Sequence, residues 1–233
     1  MGKRLFMSEV KTILNRRLTG REAAVVVASV AVLAAAGYLA WRTISARILE
    51  AKVNAALPII CSQLRDQRQT IVAAIENYKK EFGFYPPDHV ASRQPLLVNA
   101  YTNPLLYELV GTVIDTNGFV QLPRQEAAEV SFVKGFFNST GFVNSGTSAA
   151  AVKHFLSPDT CPVRQLHDDP DVFALGFQIY TAGIPGETIW EFDLSPWQYV
   201  SSAPVHNSGK FDLWLEVKTK KRSVTVGNWK DVE

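Results

Sequence analysis

The side chains in this chain that could do chemistry are few and scattered. His167, Asp168, Asp169 and Asp171 gather around Pro170, with His154 upstream in a stretch that reads as a short helix. Imidazole and carboxylate suit a divalent cation or a proton transfer. No interval among them selects a coordination geometry, so we read the group as a solvated acidic loop. Two cysteines, Cys61 and Cys161, stand alone. They are either a candidate disulfide closing a loop of about 100 residues, worth ~2–4 kcal/mol, or two separate buried thiols, the reading adopted here. Without a CxxC, an HExxH or a paired Cys/His spacing, a structural zinc site is not expected. The chain also lacks a GxSxG elbow, a P-loop and a dinucleotide-binding glycine pattern. Asn138-Ser139-Thr140 matches a glycosylation sequon, which carries little weight if the source is bacterial. Trp190, Trp197, Tyr199 and Trp214 could line a ligand groove, but at strand spacing they read as core or sheet-face packing. We therefore expect no catalytic residue, metal or cofactor.

What must position these groups is dominated by one apolar run. Ala23 to Trp41 reads AAVVVASVAVLAAAGYLAW, without a charge and with Tyr38 and Trp41 at its far end. As a helix at 1.5 Å per residue it matches the ~30 Å hydrocarbon core of a bilayer. Lys3, Arg4, Lys11, Arg16, Arg17 and Arg21 precede it, against Glu9 and Glu22, so this end should stay cytoplasmic and the remainder lie outside. Those six cations and two acids hold +4, so the formal charge of +2 leaves −2 for the rest of the chain. That balance makes no case for a nucleic-acid surface. The run is longer than the ~7–15 apolar residues of a cleaved secretory signal and flows into helix-forming sequence, so we read an uncleaved anchor.

Helical periodicity continues past the run. Ile44, Ile48, Leu49, Val53, Ala56, Leu57, Ile60, Leu64, Ile71, Ala74, Ile75 and Tyr78 form one stripe, with Arg65, Asp66, Arg68, Glu76, Lys79 and Lys80 opposite. Pro58 should kink this helix without ending it, and Phe82-Gly83 followed by Tyr85-Pro86-Pro87 should stop it. Asn103-Pro104 before LLYELV and Gly111 predicts a short capped helix. Residues 124–137 predict a second packed helix, 138–148 a loop, and 148–156 a further short helix. Strands are expected over 172–183, 187–193, 212–217 and 223–229, with Lys218 to Arg222 as a solvated hairpin turn. The organisation is a basic segment (1–22), a transmembrane helix (23–41), its amphipathic continuation (42–82) and a globular head (83–233). The fold class is α+β, the long helix packed on a C-terminal antiparallel sheet.

Three segments resemble the type IV pilin superfamily, and within it the major pseudopilins of type II secretion. LTGRE before the apolar run lays Leu18, Thr19 and Glu22 on the family's F-T-x-x-E opening, with Arg16 and Arg17 as the end of a leader. AIENYKKEFGFYPPD (74–88) is similar to the family's helix-end segment, A-x-x-x-Y-K-x-x-x-G-x-Y-P. SPWQYVSS, GKFDLWLEV and VGNWKD are similar to its C-terminal P-W-x-x-Y, F-D-L strand and terminal N-W. The match covers the helix and the last third; residues 90–170 lie outside it.

The resemblance implies a pilin-like fold and a structural, polymerising role in the membrane. Partners would be further copies or other pseudopilins through the N-terminal helix, and a prepilin peptidase cutting between Arg17 and Leu18. Glu22 would set the register between neighbouring helices. The sequence departs from the family at Arg17, where the family has Gly or another small residue. Asp193, Asp212 and Asp231 are also too scattered to carry over the family's calcium loop. A pilin-like binding protein that stays anchored without polymerising is the alternative. A membrane-anchored hydrolase built on the His167 cluster is a third reading.

Overall fold

The computed structural model describes residues 19–88, 100–121, 128–139, 141–168, 171–184 and 186–229. The chain divides into two units, 1–52 and 53–233. One helix, α1, spans Gly20–Phe82, 63 residues, and ends where Gly83 takes φ +86°. That left-handed conformation suits a residue without Cβ and closes the helix at the predicted stop.

From Val53 onward the expected stripe is the buried one: Ala56, Leu57, Ile60, Leu64, Ile71, Ala74, Ile75 and Tyr78 all enter the core. Asp66, Glu76 and Lys80 face solvent on the opposite side. Pro58 is exposed, and the helix runs through it unbroken. A proline there cannot bond the Asn54 carbonyl. One turn back from it, the Asn54 side chain accepts a bond from Arg222 Nη2 at 3.1 Å.

Among the described residues, the head adds two short α-helices and three small sheets. Helix α2 (Leu105–Val110) is opened by Asn103, whose Oδ1 accepts from Leu105 N, and closed by Gly111 at φ +86°. Strands β1 (Thr112–Ile114), β2 (Phe119–Gln121) and β3 (Ala128–Glu129) pair antiparallel, and β4 (Ser145–Gly146) lies parallel to β1. Helix α3 (Val130–Phe136) follows β3. Hairpin β5–β6 (Val163–Asp168 and Asp171–Leu175) stands as its own ladder. The C-terminal sheet centres on β9 (Asp212–Lys218). It pairs antiparallel with β10 (Ser223–Gly227) on one edge, and with β7 (Asp193–Leu194) and β8 (Gln198–Val200) in succession on the other. The chain is thus α+β, with a long N-terminal apolar helix and C-terminal antiparallel sheets.

Several expectations need correction. Of the helix expected over 124–137, residues 124–127 lie outside the described residues, Ala128–Glu129 form a strand, and the helix runs Val130–Phe136. The one expected over 148–156 is a single 3-10 turn, Ala149–Ala151. Residues 187–193 alternate in hydropathy, yet Gly186–Glu191 form a 3-10 helix that leaves Trp190 in solvent and buries Thr188. The strand expected over 172–183 ends at Leu175. Beyond it, the backbone at residues 178 and 180 pairs with two side chains of α1 in place of another strand. Gln67 Oε1 accepts from Gln178 N at 2.9 Å while its Nε2 donates to Gln178 O. Gln63 does the same for Tyr180, at 2.8 and 2.9 Å. Four helical residues rise ~6 Å and two extended residues ~6.6 Å, so the two glutamines match the ladder spacing.

Candidate functional site

The segment of α1 from Ala24 to Trp41 carries no charge and offers its apolar side chains to the surroundings. Val25, Val27, Val30, Val32, Leu33, Tyr38, Leu39 and Trp41 are each at least 60% exposed. Such a surface is unfavourable in water, at roughly 25 cal/mol per Å² of apolar area, and natural in lipid or against other helices. Ser29, inside the run, donates to Val25 O at 2.9 Å, and Thr43 just beyond it donates to Leu39 O at 2.8 Å. These bonds satisfy the donors within the helix, as an apolar surrounding requires. Among the described residues, this is the one helix long and apolar enough to cross a membrane.

Glu22 lies in the first turn of α1. Arg17 and Leu18 lie outside the described residues. Cys61 is buried and Cys161 half-buried, and no disulfide joins them. Burial pushes the Cys161 thiol up to about 12, the behaviour of an inert cysteine.

Two of the motif-bearing segments, residues 74–88 and the C-terminal set, meet in the head. Pro86 O at the end of the helix motif accepts from Tyr199 Oη at 2.8 Å and Ser201 Oγ at 2.9 Å. Asp88, 3% exposed, accepts from Ser201 N, Ser202 N and Ser202 Oγ. Tyr85 packs edge-on against Phe211, which also touches Tyr199. Asn228 Oδ1 accepts from Leu213 N, and its Nδ2 donates to Phe211 O. Arg68, on α1, donates to Gly227 O. The end of α1 is therefore fastened to the last strands by hydrogen bonds from both sides.

Three buried carboxylates hold the head's loops in place; Asp88 and Glu108 were not singled out from the sequence, and Asp212 was weighed there only as a calcium ligand. Asp212 accepts from the backbone N–H of Val205, His206 and Asn207 and so shapes the loop before β9. Glu108, 0% exposed, accepts from Val143 N, Asn144 N and Tyr78 Oη at 2.9, 2.9 and 2.8 Å. Burial raises its pKa above the usual carboxylate value, against the pull of those donors. Asp88 follows Tyr85-Pro86-Pro87, which the sequence marks as a stop signal. Glu108 and Asp212 adjoin apolar runs, the weak signal that a carboxylate there is buried.

The acidic cluster is less than its composition suggests. His167 packs against the Phe132 and Phe136 rings at 5.2 and 6.0 Å. Asp168 and Asp171 are register partners at the end of the β5–β6 hairpin, and Asp169 and Pro170 lie outside the described residues. His154 Nδ1 donates to Val110 O. Among the described residues, no three His, Cys, Asp or Glu side chains are grouped to hold a metal. Of the four aromatics, Trp197 and Tyr199 are core, Trp214 is half-buried and Trp190 is 86% exposed. No protein-family model, no curated protein and no solved structure matches the chain.

Proposed function

We propose that this chain is a pilin-like structural subunit of a type II secretion pseudopilus or a related type IV-like filament, anchored through α1. The observation that carries this reading is the uncharged, fully presented surface of α1 between Ala24 and Trp41. Such a helix needs lipid or other helices around it. In support, the helix-end segment (74–88) and the C-terminal segments that resemble pseudopilins lie in contact with one another at Pro86, Tyr199, Tyr85 and Phe211.

The mechanism is mechanical. The helix holds the subunit in the bilayer, N-terminus in the cytoplasm and head outside, periplasmic in a bacterium with two membranes. It then leaves lipid to pack among the helices of other subunits. Lipid is as apolar as a helix bundle, so the exchange is near-neutral and can be driven by an external motor ATPase. Glu22 sets the register between copies, since a carboxylate at the start of a lipid-facing helix needs a cation or the interface. Pro58 supplies a bend. No catalytic role is assigned.

Arg17 favours a second reading. It stands where the family has a small residue before the cut, and an uncut chain has no free amine at Leu18 for a neighbouring Glu22 to bind. The protein would then be a permanently anchored pilin relative that does not polymerise. Mass spectrometry of the native N-terminus separates the two. An N-methylated start at Leu18 supports the filament subunit; a retained leader supports the anchored form.

A further inference from the structure

One end of the C-terminal sheet carries a basic turn beside an exposed indole. Lys218, Lys220, Lys221 and Arg222 fall within five residues, and all four are exposed. Next to them stands Trp190, 86% exposed, the most exposed large apolar side chain among those described. Two contacts hold it there. Glu191 Oε2 pairs with Lys220 Nζ at 2.7 Å, and Asp193, three residues beyond Trp190, is the register partner of Lys218. Water gives a fixed indole nothing, whereas a lipid–water interface suits both kinds of group. There an indole settles at the level of the headgroups, and lysine and arginine meet the phosphates.

This end of the head is also where the chain enters it. Arg222 Nη2 donates to Asn54 Oδ1 at 3.1 Å, and the head unit begins at Val53. Asn54 follows the last residue of the apolar run, Trp41, by thirteen residues of one helix, ~20 Å. The covalent link alone sets that reach. Headgroups fill ~5–7 Å of it, and long basic side chains together with tilt of the span cover the remainder. Charge points the same way. Glu191, Asp193 and Glu216 stand among the cations, but Lys218 and Lys220 keep 50% and 80% of their side chains exposed, so their ion pairs are readily exchanged. Arg222 bonds a neutral amide. The helix between Trp41 and Asn54 adds Arg42, Arg47 and Lys52 against Glu50.

We propose that this end of the head is a second membrane contact, with Trp190 and the turn 218–222 seated on anionic phospholipid headgroups of the bilayer that holds α1. The indole enters the headgroup layer and the cations bind phosphate, each basic residue adding an attraction that salt screens. The contact rests on α1 as a membrane anchor and is independent of the filament reading.

The test uses the full-length chain in vesicles of phosphatidylcholine alone or mixed with phosphatidylglycerol. Ser223→Cys, beside Arg222, carries a polarity-sensitive fluorophore, and unsubstituted protein treated alike supplies the background from Cys61 and Cys161. Ser208→Cys, exposed in the loop before the other end of β9, is labelled for comparison. The Ser223 label is expected to shift to the blue with phosphatidylglycerol and to return in high salt, while the Ser208 label stays unchanged. Lys218→Gln with Lys221→Gln keeps the indole, the Glu191–Lys220 pair and the Arg222–Asn54 bond, and should abolish most of the shift. A Ser223 signal that ignores phosphatidylglycerol, an equal shift at Ser208, or a shift that the lysine substitutions leave intact would overturn the proposal. Flotation of the protein with the vesicles would in each case leave the anchor standing. Protein that floats with neither vesicle would remove the anchor and this contact together.

Discussion

Tyr78 on α1 donates its phenolic proton to Glu108 on α2 across 2.8 Å, with both residues completely buried. Burial dominates both groups. It raises the carboxyl above its ordinary 4.5 and raises the phenol too, an effect the neighbouring carboxylate reinforces. The pair joins the long helix to the head at the centre of the core, so its protonation is tied to folding.

The sign of that link follows from the shift. Between the ordinary and the raised value, the folded head holds a proton on Glu108 that the unfolded chain has released. Its contribution is complete below about pH 4.5 and is lost as pH rises through the folded value. Unfolding by urea across this range should show the contribution falling with rising pH. Glu108→Gln should flatten it. The substitution also leaves an amide N–H opposite a backbone N–H, costing about 1–3 kcal/mol at the acid end. The gap to wild type should narrow as pH rises. A pH dependence unchanged in Glu108→Gln would rule this account out.

The glutamine pairing of residues 178 and 180 gives a second test. Gln67→Ala removes two bonds, and Gln67→Glu keeps the acceptor but loses the donor. The first should cost about 1–2 kcal/mol and the second about half of that. Amide hydrogen exchange should speed up at Gln178 in Gln67→Ala and stay unchanged in the β9–β10 ladder. Equal acceleration in both places would mean that the segment is held by something other than the glutamines.

This segment also shows where the sequence runs out. The helix end at Phe82, the cap at Asn103, the turn at Gly111 and the hairpin from Lys218 to Arg222 were all legible, because local chemistry decides each of them. Phe177 to Thr181 has strand composition, and nothing local reveals that its partner is a pair of side chains more than 100 residues earlier. Residues 187–193 alternate like a strand, yet Gly186–Glu191 form a 3-10 helix with Thr188 buried and Glu191 paired to Lys220, contacts that the local pattern does not reveal. The apolar surface of α1 was legible because a membrane-length apolar run is a composition signal. The burial of Asp88 and Glu108 was not, because a buried acid is marked by its donors, and theirs come from loops far along the chain.

The thiols give a third prediction. With Cys161 pushed up to about 12 from an ordinary 9.0, its thiolate is roughly 1000-fold scarcer than in an unfolded chain at the same pH. Iodoacetamide at pH 8 should alkylate Cys161 slowly in the folded protein and rapidly in urea. Non-reducing electrophoresis should show no change in mobility on adding reductant. Fast labelling of the folded state, or a reductant-sensitive shift, would contradict two separate buried thiols.

The apolar part of α1 gives the fourth, and Leu33 is its most exposed side chain at 72%. A lysine near the centre of a span raises the apparent cost of insertion by about 2.5–3.5 kcal/mol. Leu33→Lys should therefore move much of the protein out of the membrane fraction on alkaline extraction. Leu33→Ala removes area without adding charge and should stay inserted. Glu22→Ala separates anchorage from assembly, since on the filament reading it loses the pairing between copies and keeps the span. It should remain in the membrane fraction while disulfide cross-linking between copies, through an added Val27→Cys at the 68% exposed Val27, falls away. If Glu22→Ala instead cross-links as well as wild type, the register must be set elsewhere along α1, and the carboxylate would be no more than a favourable charge at the start of a helix.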